Sequence, residues 1–338
     1  MTEPDVFVVG GGPAGLAAAI AARLKGLSVV VADGNSPPID KACGEGLMPD
    51  ARLAAARLGI EIPPALGFEF PGVRFHGAGK SVAARFPRGC GIGVRRTALH
   101  AAMIVAAERA GVELRWGAPA GNFDEIRARW ILGADGSSSR VRAWAGLDRY
   151  RHNTRRFACR QHYAIAPWTD CMEIYWGEGC QIYVTPVGAD EVCVALISRD
   201  RELSVEAALS RLFPVLDERV RGAPVCSRPR GAVTATARLE NVARGNVALI
   251  GDASGSVDAI TGEGLCLAFK QAALLADAMA GGDLTAYARA HPRLAMRANV
   301  MAKLMTTLDR GTRLRQFGMT AMSSVPWIFE RLLAVHVG

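Results

Sequence analysis

Six residues near the start, Gly10-Gly11-Gly12-Pro13-Ala14-Gly15, constrain the fold more than any other stretch of the chain. They follow a short apolar run, Asp5-Val6-Phe7-Val8-Val9. An Ala-rich stretch comes next, to about Lys25, and then Leu27 to Ala32 is again apolar and β-branched. Strand, tight turn, helix and strand make a βαβ unit. Within it, Gly10-x-Gly12-x-x-Gly15 lets the backbone approach a pyrophosphate and lets the helix pack close to the strand. The helix N-terminus adds free N–H groups and a partial positive charge. Asp33, at the end of the second strand, is placed to accept hydrogen bonds from a ribose. Gly10, Gly12, Pro13, Ala14, Gly15 and Asp33 are therefore candidate dinucleotide-binding residues.

The chain has 338 residues, of which 50% are apolar and 21% charged, and this excludes disordered, collagenous and coiled-coil proteins. Its eight cysteines include no Cys-x-x-Cys pair, so they read as reduced thiols, with neither a disulfide frame nor a metal site. Arg23 and Lys25, and later Lys270 and Asp277, interrupt the longest apolar stretches before a span of about 20 residues is reached. The acidic start shows no signal peptide, and the expected location is the cytoplasm. The net charge of +8 comes without a nucleic-acid-binding motif, which favours an anionic cofactor or substrate over nucleic acid.

The pattern predicts a helix over 96–110, strands over 112–116 and 130–132, and an antiparallel meander over 173–176, 181–186 and 191–198. Helical spacing returns over 205–220, followed by a buried strand over 246–250 and helices over 262–279 and 284–310. Arg149, Arg151, Arg155, Arg156 and Arg160, with His152 and His162, form a basic run that reads as a solvated face. The tail from Met296 is basic, Met-rich and amphipathic. It is expected to cap a substrate pocket, with peripheral membrane contact as the other reading.

Two later strings decide between nicotinamide and flavin. Gly133-Ala134-Asp135-Gly136 follows a strand. Gly251-Asp252-Ala253-Ser254-Gly255 follows another and leads to Thr261-Gly262-Glu263-Gly264. In their order and separation these resemble the second and third signatures of the FAD-dependent hydroxylase and geranylgeranyl reductase superfamily, which shares the para-hydroxybenzoate hydroxylase fold. The string Lys41-Ala42-Cys43-Gly44-Glu45-Gly46-Leu47 leans towards the reductase branch. The chain departs from the hydroxylase pattern in lacking a proline across Asp258–Thr261, and it carries no Trp-x-Trp-x-Ile-Pro string of the flavin halogenases.

The resemblance implies an α/β fold: a Rossmann-like FAD-binding domain, an inserted antiparallel β-sheet substrate domain, and a helical C-terminus. The cofactor domain is expected from 1–60, 90–150 and 240–290, the substrate domain from 61–89 and 151–239, and a helical cap from 291–338. It further implies that Gly10, Gly12 and Gly15 cradle the pyrophosphate and that Asp33 binds the adenosine ribose. Arg95 or Arg96 would contact the cofactor, Asp135 would lie near FAD and a transient NAD(P)H, and Asp252 would bind the ribityl chain. Gly262 and Gly264 would place backbone N–H groups beside the flavin pyrimidine ring, where reduced flavin carries negative charge. Lys41, Cys43, Gly44 and Gly251 are expected beside the cofactor. Cys43, with a cationic neighbour in Lys41 to lower its thiol pKa, and Glu45, as a buried acid or base, are the catalytic candidates, each set against a plain packing or solvated role. The leading expected reaction is NAD(P)H- and oxygen-dependent hydroxylation of an apolar or aromatic small molecule. Reduction of an isoprenoid C=C bond and electron transfer to a partner are the alternatives.

Overall fold

The computed structural model describes residues 3–337, and only the backbone of 152–154, so the side chain of His152 lies outside the described residues. The first sheet grows from the buried run Val6–Val9, which pairs in parallel with Val29–Asp33 on one side and Trp130–Gly133 on the other. Glu113–Trp116 and Val247–Leu249 extend it in parallel, and Ala243–Arg244 closes one edge antiparallel. Continuous Val/Ile runs suit such a sheet because both faces are covered. The helices Pro13–Leu24, Arg96–Arg109 and Gly264–Ala280 cover one face. Phe123, Val141 and Leu147 pack against Val9, Ile131 and Leu249 on the other.

Helix Pro13–Leu24 starts with proline at its first turn, where an N–H would have no partner in any case. Its residues Leu16 to Ala22 are buried, and the small alanines let it lie close against helix Gly264–Ala280. It stops where Gly26 takes a left-handed φ of 81° and its N–H bonds back to Arg23 O at 2.9 Å.

The second sheet has eight strands, in the spatial order 255–256, 230–239, 150–163, 191–198, 180–188, 172–176, 72–77 and 80–85. All its pairs are antiparallel except Met172–Trp176 with Gly72–Gly77. The expected meander is present as Met172–Trp176, Cys180–Gly188 and Glu191–Ser198. The terminal helices Met296–Arg310, Thr312–Ser324 and Pro326–Val337 close over this sheet, where Met319, Met322, Phe329 and Leu333 pack with Val82 and Ala84. The architecture is the α/β arrangement expected: a Rossmann-like parallel sheet, an inserted and mainly antiparallel sheet, and C-terminal helices.

Four local expectations are corrected. The helix over 205–220 is two helices, Val205–Leu212 and Pro214–Val220, because Phe213 leaves helical geometry ahead of Pro214. The segment 284–310 is likewise two helices, divided at Ala295. Gly262 does not open the late helix. It sits in the left-handed region at φ 69°, and the helix begins at Gly264. The basic run is a solvated face only in part. Arg149, Arg151 and Arg155 are exposed, but Arg156, Arg160 and His162, further along the strand Tyr150–Tyr163, are buried.

Candidate active site

A connected cavity of about 1240 Å³ runs from the glycine turn to the terminal helices. Two helix N-termini face its polar end, because Gly12 and Pro13 line it at one and Gly262 and Gly264 at the other. Gly12, Gly44, Gly262 and Gly264 present bare backbone there. A Cβ built on any of them meets no protein atom within 4 Å, so each leaves room for a ligand against the main chain. Gly15 does a different job and does not line the cavity. A Cβ there would lie 1.9 Å from Gly10 O, so glycine is what allows the helix to close on the strand.

The carboxylates expected around a dinucleotide line the same space. Asp33 Oδ2 accepts from Gly11 N–H at 2.7 Å and Oδ1 from Asn35 N–H at 2.8 Å. Asp135 Oδ2 accepts from the N–H groups of Arg140 and Val141, while its Oδ1 is buried without a partner. Burial pushes the Asp252 carboxyl above its usual range, against the opposing pull of Lys41 and Arg96. Lys41, Gly251, Pro13 and Ala14 also lie in the wall. Of the two arginines at the head of helix Arg96–Arg109, the structure brings Arg96 to the cavity, with its Nη1 buried and unpartnered. Arg95 points elsewhere, to Glu191 and Cys226.

Cys43 and Glu45 meet in the same wall. Glu45 N–H donates to Cys43 Sγ at 3.4 Å. Burial raises the Cys43 thiol pKa, and Arg96 and Arg160 do not offset it, so the expected lowering is corrected: Cys43 is held as a neutral thiol. Glu45 is no solvated carboxylate either. It is 3% exposed, its Oε1 accepts from Arg96 N–H at 2.9 Å, and its Oε2 lies 2.6 Å from His162 Nε2. Sequence reasoning missed His100 and read Arg160 and His162 as surface charge. His100 fixes the glycine turn through Nε2 to Gly11 O at 2.8 Å. A signal for the other two existed: Arg156, Ala158, Arg160 and His162 alternate along one strand, so all four share a face.

Beyond the polar end the wall turns apolar. Val73, Phe75 and Ile174 come from the second sheet, and Met305, Phe329 and Leu333 from the terminal helices. Tyr183 also lines this part, but its hydroxyl is committed to Ile260 O at 2.7 Å. That bond ties the sheet to the loop leading into Gly262.

Comparison with known proteins agrees with this geometry. An FAD-binding-domain family model matches residues 105–282, and a second FAD-binding-domain model matches residues 5–52. A menaquinone reductase of Mycolicibacterium smegmatis is 30% identical over 330 residues, covering 87% of this chain and 80% of that protein. A digeranylgeranylglycerophospholipid reductase of Methanothrix thermoacetophila is 27% identical, covering 82% and 79% respectively. The solved flavin-dependent brominase Bmp2 superimposes with a TM-score of 0.84 at 20% identity, over 99% of this chain and 94% of its own. At that identity the likeness concerns the fold alone. The cavity also fits FAD on its own chemistry. Bare glycine backbone at two helix N-termini suits a pyrophosphate and an anionic ring edge, and the unpartnered Asp135 Oδ1 and Arg96 Nη1 call for a polar ligand. The chain belongs to the FAD-binding flavoproteins of the para-hydroxybenzoate hydroxylase and geranylgeranyl reductase superfamily, and it is an FAD-dependent oxidoreductase.

Proposed function

We propose that this enzyme reduces a C=C bond of a polyprenyl lipid. The observation that carries the reading is the apolar chamber joined directly to the flavin end of the cavity, walled by aliphatic, aromatic and methionine side chains. A methyl-branched hydrocarbon chain asks for such a wall. Met301 and Met305 let it adapt to irregular shape. Both relatives described above are named as reductases, and one of those names specifies a geranylgeranyl lipid. Hydroxylation, the leading expectation from sequence, therefore yields its place to reduction.

When bound, FAD supplies the electron pair for the reduction, drawn from NAD(P)H as transient reductant. In this reading Gly10, Gly12 and the helix behind them hold the pyrophosphate, and Asp33 and Asp135 take hydroxyl groups of the cofactor. Asp252 holds the ribityl chain, and Gly262 and Gly264 aim N–H groups at the pyrimidine edge. The cofactor part is assigned to 1–60, 90–150 and 240–290, the substrate part to 61–89 and 151–239, and the cap to 291–338. The cap excludes water from the chamber.

The same cap supplies a route for a lipid. Among the described residues no helix is long and apolar enough to cross a membrane. Yet Val300, Leu314, Phe317 and Trp327 are 44–72% exposed on the terminal helices, beside Arg297, Lys303, Arg313 and Arg331. Leu304 is both exposed and part of the cavity wall. Such a surface suits peripheral contact with an anionic bilayer. The test is anaerobic incubation of the holoenzyme with NAD(P)H and a geranylgeranyl lipid or menaquinone, followed by mass spectrometry. A gain of two hydrogens supports the reading. Turnover only in air, with oxygen incorporated, would replace it with hydroxylation. Flotation with vesicles of anionic and neutral lipid checks the membrane contact, and Phe317→Asp should abolish it.

A further inference from the structure

We propose that Ser227, His162 and Glu45 form a proton path from the protein surface to the flavin end of the cavity, with Glu45 as its inner terminus. The proposal rests on the reductase reading only for its purpose, since saturating a C=C bond consumes a proton as well as the hydride equivalent that NAD(P)H supplies. The apolar chamber has few groups able to supply one.

The path is continuous. Ser227, half-buried between the exposed Cys226 and Arg228, places its Oγ 2.7 Å from His162 Nδ1. Across the ring, His162 Nε2 lies 2.6 Å from Glu45 Oε2. Glu45 in turn forms part of the cavity wall, whereas His162 and Ser227 stand behind it. Both inner groups are buried, with side chains 1% exposed, so water does not reach them along the way.

Glu45 is held in place at a conformational cost. It has φ 59° between two glycines, Gly44 and Gly46, either of which would accept a left-handed geometry more readily. That geometry costs a residue with a side chain about 1–2 kcal/mol. It persists here because the carboxylate is fixed by Arg96 N–H at 2.9 Å, by His162, and by the Arg160 guanidinium at 3.8 Å. Cys43 and Cys193 complete its surroundings.

The groups around His162 set the direction of transfer. Arg160 Nη1 faces Nδ1 at 3.1 Å and can only donate, so Nδ1 accepts and the resting proton sits on Nε2, pointing at Glu45. Glu45, His162 and Cys193 are close enough together to suggest a metal ion, but Arg160 occupies the same space with a fixed positive charge. The arrangement suits a proton. In the transfer, Ser227 O–H passes its proton to Nδ1, and Nε2–H passes to Glu45 Oε2. Water restores the serine hydroxyl. Serine and imidazole keep their proton counts and the carboxylate becomes a carboxyl; the Nδ1–H tautomer left behind faces the Arg160 N–H, is therefore short-lived, and reverts to the resting Nε2–H form before the next transfer. Negative charge arriving in the cavity raises the proton affinity of a nearby carboxylate, which couples uptake to reduction. The Glu45 O–H bond then breaks as one C–H bond of the product forms from the C=C electron pair, and the hydride equivalent drawn from NAD(P)H makes the other, so the product gains two hydrogens and Glu45 returns to a carboxylate.

The test needs no lipid. The holoenzyme is photoreduced anaerobically in weak buffer, and proton uptake is followed with an indicator dye. Glu45→Gln should take up about one proton fewer per flavin. Ser227→Ala should reach the wild-type count at least about tenfold more slowly. Equal uptake by Glu45→Gln, or an unchanged rate in Ser227→Ala, overturns the path. Should Glu45→Gln lose its flavin, infrared difference spectra of wild type decide. A carboxyl C=O band must appear on reduction with His162→Asn slowing it, and its absence overturns the proposal. Because no substrate is present, failure here leaves the reductase reading standing, and failure to reduce a lipid leaves the path testable.

Discussion

Two glycines of the same turn should respond oppositely to the same substitution, Gly12→Ala and Gly15→Ala. Gly12 caps its helix with φ −72° and ψ 178°, which any residue adopts, and an added Cβ meets nothing within 4 Å. Alanine there gains about 0.4–1 kcal/mol from the unfolded state and loses a comparable amount as a poorer N-cap. The apoprotein should therefore melt within about 1 °C of wild type. The methyl group would nevertheless occupy the space through which backbone N–H groups reach a phosphate. Losing one charge-assisted hydrogen bond at about 1.5–3 kcal/mol, plus steric overlap, predicts FAD affinity lowered at least about a hundredfold.

At Gly15 helix propensity favours alanine by about 1 kcal/mol. The clash wins. A Cβ 1.9 Å from Gly10 O is far inside the usual carbon–oxygen contact of about 3.3–3.6 Å, so helix and strand must part by more than 1 Å. Overpacking of this kind costs about 1–3 kcal/mol, a fall in apoprotein Tm of about 2–4 °C if the chain melts as one unit. Calorimetry of apoprotein and flavin titration by fluorescence separate the two effects. A Gly12→Ala protein with wild-type FAD affinity, or a Gly15→Ala apoprotein as stable as wild type, would refute the reasoning.

Further outcomes can be checked singly. Asp252→Ala should purify with less bound FAD, read as the flavin-to-protein absorbance ratio. Cys43→Ser should leave flavin content and turnover within about twofold, because the thiol is already neutral; a large loss of turnover with flavin bound would make Cys43 catalytic. Burial pushes Glu263 up to about 7, from an ordinary value near 4.5. Its folded form thus prefers the proton, and stability falls as pH rises from about 4.5 to about 7. Glu263→Gln should flatten that part of the Tm-against-pH curve relative to wild type.

The parallel sheet was legible because its inner strands are apolar runs ending in a glycine turn, as in Val6–Val9 before Gly10 and Val247–Leu249 before Gly251. The meander was legible from its turns. The strand Tyr150–Tyr163 was not, because its arginines look like surface charge until their partners are known. Arg156 meets Asp258 and Asp309, and Arg160 meets Asp40 and Glu45, all far away in sequence. Arg95 and Arg96 could not be separated for a different reason. Arg95 is the non-helical N-cap and Arg96 the first helical residue, so the two side chains leave the chain in different directions, and only the packed structure says which faces the cavity. The chamber was hidden for the same reason as the buried charges: its walls join residues 73–75 to residues 305–333.

The first sheet has one consequence for how the chain is made. Strand Val247–Leu249 lies beside Trp130–Gly133, and five of the eight strands of the second sheet are synthesised between them. Helix Gly264–Ala280, which packs against the very first helix, comes later still. On a ribosome adding about 5–20 residues each second, the glycine turn therefore waits about ten seconds or more for the segments that complete its pocket. Flavin cannot rescue the early half of the chain. It can only reward a nearly finished one, so partial products gain nothing from the cofactor and are left to the cell's quality control.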